Sequence, residues 1–252
     1  MTCTEVTNII KSCKEGGSST LNISHRKLVI VPPEIGDLHK LKVLLLNDAS
    51  LIMPPREIEK LTNLEELHLE NNKLSMLPAG IKNLSKLKYL CLSHNPISFV
   101  INDETANYQC LRYLFIDNIE MSTMPASMCL LENLEYLSAG SNNIKKLPEE
   151  FGCLETLKWL RLSNNCLETV PDSFEKLQKL IYLDLSINLF SYFPINISKL
   201  KKLSSLILKD NKLTFLNESL SDFLCGLGKL DLRYNKIIDL PVEVMSSSGL
   251  LL

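Results

Sequence analysis

Leu64-Glu65-Glu66-Leu67-His68-Leu69-Glu70-Asn71-Asn72-Lys73-Leu74 reads L-x-x-L-x-L-x-x-N-x-L, and this short stretch decides the fold because it recurs. Segments starting at Leu41, Leu64, Leu87, Leu111, Leu134, Leu157, Leu180, Leu203 and Leu227 share the pattern, and an imperfect copy at Ser18 keeps Leu21, Ile23 and Leu28. The starts are 23 or 24 residues apart throughout, which gives ten units. A unit of this size cannot bury its own apolar face. Stacked neighbours can, so a fixed period of 20 to 50 residues signals a solenoid whose core runs along the stack.

The first half of each unit alternates apolar and variable residues, the period of a strand. In Leu157-Lys158-Trp159-Leu160-Arg161-Leu162 the leucines point inward and Trp159 and Arg161 outward. Ten such strands would stack as a parallel sheet lining a concave side. Leucines at the first, fourth, sixth and eleventh positions, with apolar residues at positions 14, 18 and 21, would fill the interior, each worth roughly 1.5–3 kcal/mol once covered. The ninth position is Asn72, Asn95, Asn142, Asn165, Asn188, Asn211 and Asn235. An amide both donates and accepts, so it can satisfy the backbone of a tight internal turn. This ladder is structural. It is broken at Arg26, Ala49 and Ile119, and the internal break at Ile119 has no explanation in the sequence. After the strand, most units read L-P-x-x-[IF], as at Leu77-Pro78 to Ile81 and Leu147-Pro148 to Phe151. Proline suits the first turn of a helix, where its missing N–H costs nothing. Short helices or 3-10 turns should therefore return along a convex side. Two units lack the proline, one through Val100 to Gln109 and one at Leu216-Asn217-Glu218, and their return segments should bulge or turn differently.

The whole pattern is that of the leucine-rich repeat. The fold class is α/β, a leucine-rich-repeat solenoid (horseshoe) with a parallel concave sheet and short helical or 3-10 turns on the convex side. Residues 1–17 form a capping segment, with Val6, Ile9, Ile10 and Cys13 at helical spacing and Gly16-Gly17 to end it. Residues 18–244 are the ten repeats. Residues 245–252 read as a tail, since three serines and a glycine precede the final leucines and order poorly.

The L-P-x-x-I form of the 23-residue unit resembles the intracellular Ras-group leucine-rich-repeat proteins, which include the Ras suppressor protein and the Shoc-type scaffold. The best-matching units are Leu64–Leu84 and Leu134–Leu154, and the resemblance runs from residue 18 to about 244. It implies a non-enzymatic scaffold whose partner is a protein such as a component of a small-GTPase pathway. The shared residues build the core, so the resemblance carries over no partner site.

The balance of the chain agrees. Net charge is −2, which gives no general pull toward nucleic acid. No run approaches the apolar length of a spanning helix, and the polar start carries no signal-peptide core. Eight cysteines are scattered rather than gathered at the ends as disulfide caps. Glycosylation-type triplets at Asn22, Asn83, Asn196 and Asn217 carry weight only behind a secretory signal. These features read as a cytoplasmic, monomeric protein with reduced thiols, without membrane insertion, nucleic acid, cofactor or metal.

Two chemistries compete for the outward side chains. His68 and Cys91 share one outward position in adjacent units, with His94 close by, and a Cys–His pair can activate a thiolate. No orienting group accompanies them, and structural zinc would want a fourth ligand. The outward third position runs Glu66, Tyr89, Tyr113, Tyr136, Trp159, Tyr182, with Phe115 beside it. Sheet propensity explains one or two aromatics better than five in succession, and exposed aromatic patches mark interfaces. Tyr89, Tyr113, Phe115, Tyr136, Trp159, Arg161 and Tyr182 are therefore the candidate protein-binding residues. Acidic Asp48, Glu65, Glu66 and Glu70 precede them and basic Lys209, Lys212, Lys229, Arg233 and Lys236 follow, interrupted by Asp184, Asp210 and Asp231. That gradient would orient a partner lying lengthwise. A substrate-recognition part of a larger assembly, such as a ubiquitin ligase, is the alternative if further domains accompany the chain.

Overall fold

The computed structural model describes residues 3–28, 30–77, 79–97 and 108–252. The chain divides into two compact units, Met1–Met121 and Ser122–Leu252. The expectation for the proline-lacking segment from Val100 falls largely on residues 98–107, outside the described residues, as does Pro78.

The first unit opens with helix α1 (Cys3–Glu15), whose Val6 and Ile10 are buried against the first repeat while Lys14 holds Asp37 at 2.8 Å. Five strands follow, β1 (Thr20–Asn22), β2 (Val43–Leu45), β3 (Glu66–His68), β4 (Tyr89–Cys91) and β5 (Tyr113–Phe115). They pair in parallel and in chain order, with Thr20, Val43, Glu66, Tyr89 and Tyr113 in one register row and Asn22, Leu45, His68, Cys91 and Phe115 in another. The second unit holds β6 (Tyr136–Ser138), β7 (Trp159–Arg161), β8 (Tyr182–Asp184), β9 (Ser205–Ile207), β10 (Lys229–Asp231) and β11 (Leu250–Leu251), again parallel and in order. In every strand from β1 to β10 the middle residue is a buried leucine, flanked by outward residues.

Six of the returning segments are five-residue 3-10 turns introduced by a proline: Pro33–Asp37, Arg56–Lys60, Ala126–Leu130, Glu149–Cys153, Asp172–Lys176 and Ile195–Lys199. The introducing proline sits one place earlier than the sequence suggested. Pro55, Pro125, Pro148, Pro171 and Pro194 are extended residues just before the turn, and the carbonyl of each accepts the first turn's bond, as Pro148 O does from Phe151 N at 3.0 Å. The apolar residue of the L-P-x-x-[IF] pattern is thereby swung inward, and Phe151 and Phe174 stack at 5.8 Å with planes 8° apart. Successive turns press so closely that a Cβ on Gly152 would lie 2.0 Å from the Ser173 carbonyl oxygen. The repeat without a proline at Leu216 does turn differently, through a 3-10 turn at Glu218–Leu220 that runs into α2 (Ser221–Cys225). There the Asn217 side chain supplies the cap, accepting from Ser219 N.

The asparagine ladder is as expected. Asn165 is buried, donates to the carbonyls of Ala139 and Leu162 at 3.0 Å and accepts from Ile144 N at 3.0 Å, so one side chain ties its own turn to the previous repeat. The breaks have a common device. In all ten repeats the eighth residue is left-handed, from His25 through Asn164 to Tyr234, and at the two internal breaks a second left-handed residue follows the missing asparagine, Ser50 after Ala49 and Glu120 after Ile119. Ala49 and Ile119 are then fully buried. At Ala49, Asn72 of the next repeat takes on one bond more than its equivalents, accepting from Ala49 N as well as Leu51 N at 3.0 Å.

The C-terminal residues depart from the tail expected of them. After α3 (Val242–Met245), Leu250 and Leu251 pair with Leu230 and Asp231, and Leu232 N donates to Leu251 O at 2.8 Å. Leu250 and Leu252 thus take the fourth and sixth positions of an eleventh, abbreviated unit. The backbone groups on the open side of β10 gain partners, which outweighs the ordering cost of the serine-rich approach.

Candidate protein-binding face

Because the strand period is two, residues flanking each central leucine project from the sheet, and the parallel register sets equivalent positions side by side. In the first unit this brings Tyr89, Tyr113 and Phe115 together. Tyr89 lies 6.1 Å from Tyr113 and 5.3 Å from Phe115 between ring centroids. The sequence reading missed that His68 completes the group, stacked on Tyr89 at 4.5 Å. Its position in the row of Cys91 and Phe115 was the available signal. In the second unit Trp159 is the centre, 6.4 Å from Tyr136 and 5.1 Å from Tyr182, with the latter pair only 7° from coplanar. All five column aromatics are half-buried, leaving part of each ring open while its neighbours hold it.

Charges around the rings are mostly tied in place. Glu65 is bracketed by Lys88 at 2.6 Å and Lys42 at 2.9 Å, and these hydrogen bonds hold its carboxyl down to about 2. Arg161 donates from Nε to Ser163 Oγ at 2.9 Å and stands 4.0 Å from Asp184, whose Oδ1 accepts from Ser186 N and Oγ. Lys158 reaches Glu135 at 2.5 Å. Arg233 grips the buried Asp231 through two bonds of 3.0 and 2.7 Å; burial raises that carboxyl, but these bonds, the Arg233 backbone N–H and the charges of Arg233 and Lys209 together bring it below its usual range. Lys209 lies over the Tyr234 ring at 5.1 Å and 3.8 Å from Asp210. The end-to-end charge gradient read from the sequence is therefore partly closed by pairs within the chain, at Glu65, Lys209 and Arg233.

The Cys91–His68 pair is not poised for nucleophilic work. The Cys91 thiol is buried, and burial followed by the charge of Glu70 pushes it up to about 12. An activated thiolate needs the opposite shift. His68 turns its Nδ1 toward Glu70 at 3.8 Å and its Nε2 toward Glu66 at 3.9 Å, while His94 Nδ1 lies 3.1 Å from the amide of Asn118. Among the described residues no three His, Cys, Asp or Glu side chains are placed to hold a metal, and no helix is long and apolar enough to cross a membrane.

A second exposed row lies two residues beyond the eleventh position, where the sequence reading assigned nothing. It holds Ile30, Met53 and Met76 in the first unit and Tyr192 and Phe215 in the second, all more than half exposed. Met53 and Met76 line a groove of about 410 Å³ with Arg56, Glu59 and Gly80.

The sequence profile of the leucine-rich repeat region matches residues 106–234, just over half of the chain. The chain belongs to the leucine-rich-repeat family. A second leucine-rich-repeat profile matches residues 62–121 of this leucine-rich-repeat chain. Among solved structures, a leucine-rich-repeat protein of Leptospira interrogans is 37% identical with a TM-score of 0.85, over 90% of this chain and 58% of its own length. The ectodomain of the plant membrane receptor kinase GASSHO1/SCHENGEN3 from Arabidopsis thaliana, solved with CASPARIAN STRIP INTEGRITY FACTOR 2, is 30% identical with a TM-score of 0.76, over 88% of this chain and 28% of its own. The receptor of the TLR13–ssRNA13 complex is 32% identical with a TM-score of 0.76, over 90% and 34%. The chain thus spans less than two thirds of each of these structures. A search of curated protein sequences finds no match.

Proposed function

We propose that this protein is an intracellular, non-enzymatic interaction module that binds a protein partner through its strand-borne aromatic strip. The observation that carries the reading is the Tyr136–Trp159–Tyr182 stack: large flat rings, half open, held on rigid strands by their neighbours. Such side chains bury much area on binding while losing little conformational freedom, which is where binding energy concentrates. The solved relatives include one complex with CASPARIAN STRIP INTEGRITY FACTOR 2 and one with ssRNA13. Protein is favoured here because Glu66 and Glu70 flank the strip and would repel phosphates. The thiols of Cys13, Cys91, Cys110, Cys129, Cys153, Cys166 and Cys225 are free, in keeping with a reducing compartment. The 23-residue L-P-x-x-I unit supports a place among Ras-type signalling scaffolds, acting as a monomer.

The test is capture of partners from a cell lysate, followed by affinity measurement on the purified partner. Trp159→Ala is expected to weaken binding by about 2 kcal/mol or more, roughly thirtyfold. Losing the stack costs about 0.5–1.5 kcal/mol of stability, so the melting temperature should fall by only a few degrees. Changing Glu149 and Glu150, exposed on a 3-10 turn, should leave binding intact. Loss of binding in that control with Trp159→Ala unaffected would move the site to the other side of the repeats.

A further inference from the structure

The aromatic groups of the two units differ in how the charges beside them are satisfied. In the second unit each carboxylate along the strip has a basic partner in the chain: Glu135 with Lys158, Asp184 with Arg161, Asp231 with Arg233. In the first unit Lys42 and Lys88 are both engaged by Glu65. Glu66 and Glu70 remain. Their one basic neighbour among the described residues is a histidine rather than a lysine or arginine, His68, at 3.9 and 3.8 Å; burial raises the Glu70 carboxyl, and His68 and Cys91 help to bring it below its usual range. The second oxygen of Glu70 is buried and accepts no hydrogen bond. The two carboxylates approach the two nitrogens of a single ring, one on each side of it. The ring they flank is stacked on Tyr89, which touches Tyr113 and Phe115.

Deepening the reading of the strip as the binding face, we infer that its N-terminal part receives a basic side chain of the partner, an arginine, laid on the Tyr89 aromatic group and held by Glu66 and Glu70. Aromatic faces and carboxylates both attract cations, and a site offering the two together discriminates against neutral and anionic segments. Arginine suits it better than lysine because its planar, weakly hydrated guanidinium stacks on rings while its forked donors meet carboxylates. The negative character of the place is also visible in its neighbours. The Tyr89 hydroxyl is pushed up to about 12, by burial first, with the carboxylates of Glu70 and Glu66 adding to it. A phosphate-bearing ligand is disfavoured on the same ground, and a metal ion finds no third ligand among the described residues.

The probe is the tripeptide acetyl-Gly-Arg-Gly-amide, titrated into the isotopically labelled 252-residue chain and followed by NMR, with the citrulline analogue as a neutral isostere. Saturable shifts are expected at Glu66, His68, Glu70 and Tyr89, with a Kd of about a millimolar, as befits one anchored side chain. Glu66→Gln with Glu70→Gln should weaken the tripeptide at least about tenfold, and Trp159→Ala should leave it within about twofold. Should the double variant lose its fold, Glu66→Gln alone, at the more exposed carboxylate, must still weaken binding several-fold. Equal binding by the citrulline peptide, shifts centred on Glu135 or Asp184, or no saturation by about 50 mM would each overturn the inference. Trp159-dependent binding of the protein partner, if it persists in those cases, leaves the strip standing and removes only the arginine.

Discussion

Set side by side, the two units build the same repeat from unequal parts. The second keeps an unbroken ladder, Asn142 through Asn235, and closes the charges along its aromatic strip. The first has lost its ladder residue at Ala49 and at Ile119, relies on paired left-handed residues there, and leaves two carboxylates facing a histidine. Their ends differ too, one closed by the thirteen-residue helix α1 and the other by the two-residue strand β11. The lesson is that the repeat tolerates a missing internal hydrogen-bonding group only when a neighbour takes on its duties, and that a strip of similar rings acquires different chemistry from the pairing of the charges around it.

The largest difference between the units is expected at the ladder. Asn72 accepts one bond more than Asn165, from Ala49 N, so Asn72→Leu should orphan Ala49 N, Leu51 N and the carbonyls of Leu46 and Leu69, costing about 3 kcal/mol or more. Asn165→Leu, within the continuous run, should cost about 1–3 kcal/mol, and Asn143→Leu, on the exposed neighbour, under about 0.5 kcal/mol. Thermal melts of the three variants decide it. If Asn165→Leu is the more damaging of the two ladder changes, Asn72 does not compensate for Ala49.

The buried thiol of the first unit offers the next test. With Cys91 pushed up to about 12, alkylation by iodoacetamide at neutral pH should run at least about a hundredfold slower than at the exposed Cys110, Cys153 and Cys225. Mass spectrometry of the time course reads this directly. Rapid labelling of Cys91 would restore the reactive Cys–His pair and with it an enzymatic reading.

The ends give the smallest effect. Removing Leu250–Leu252 should uncover Leu230 and Leu232 and cost about 1–2 kcal/mol. Hydrogen exchange should find the Leu232 amide protected in the full chain and exchanging freely in the shortened one. Unchanged protection would mean that β11 contributes nothing to closing the stack.

Much of this was legible because a fixed period fixes register. Once Leu64 to Leu74 is aligned with its copies, the outward column of aromatics and the inward asparagines follow without further information. Ion pairs between repeats are legible by the same rule, since Lys42, Glu65 and Lys88 occupy the second position of successive units. Weighing charges by end rather than by column is what concealed the neutralisation of Glu65 by Lys42 and Lys88. The second left-handed residue at Ser50 and Glu120 had no signature, because neither residue type announces that backbone. Pro148 and its equivalents suit either the cap or the first helical position, and only the backbone tells them apart. Leu250 pairs with Leu230 after a step of 20 residues, short of the period, so its alignment was hidden. The binding role of Tyr89, Tyr113, Phe115, Tyr136, Trp159, Arg161 and Tyr182 rests on chemistry that only a partner can expose.

One left-handed position has a consequence for engineering. Ile187 holds the eighth place of its repeat at φ 52°, about half exposed, where most repeats carry Asn, Asp, Ser or His. A β-branched residue strains this backbone by roughly 1–2 kcal/mol, and an asparagine would relieve it while removing apolar surface from solvent. Thermostability can thus be raised at a site that supplies none of the aromatic rings, so a sturdier framework can be built for studying recognition without redesigning what is recognised.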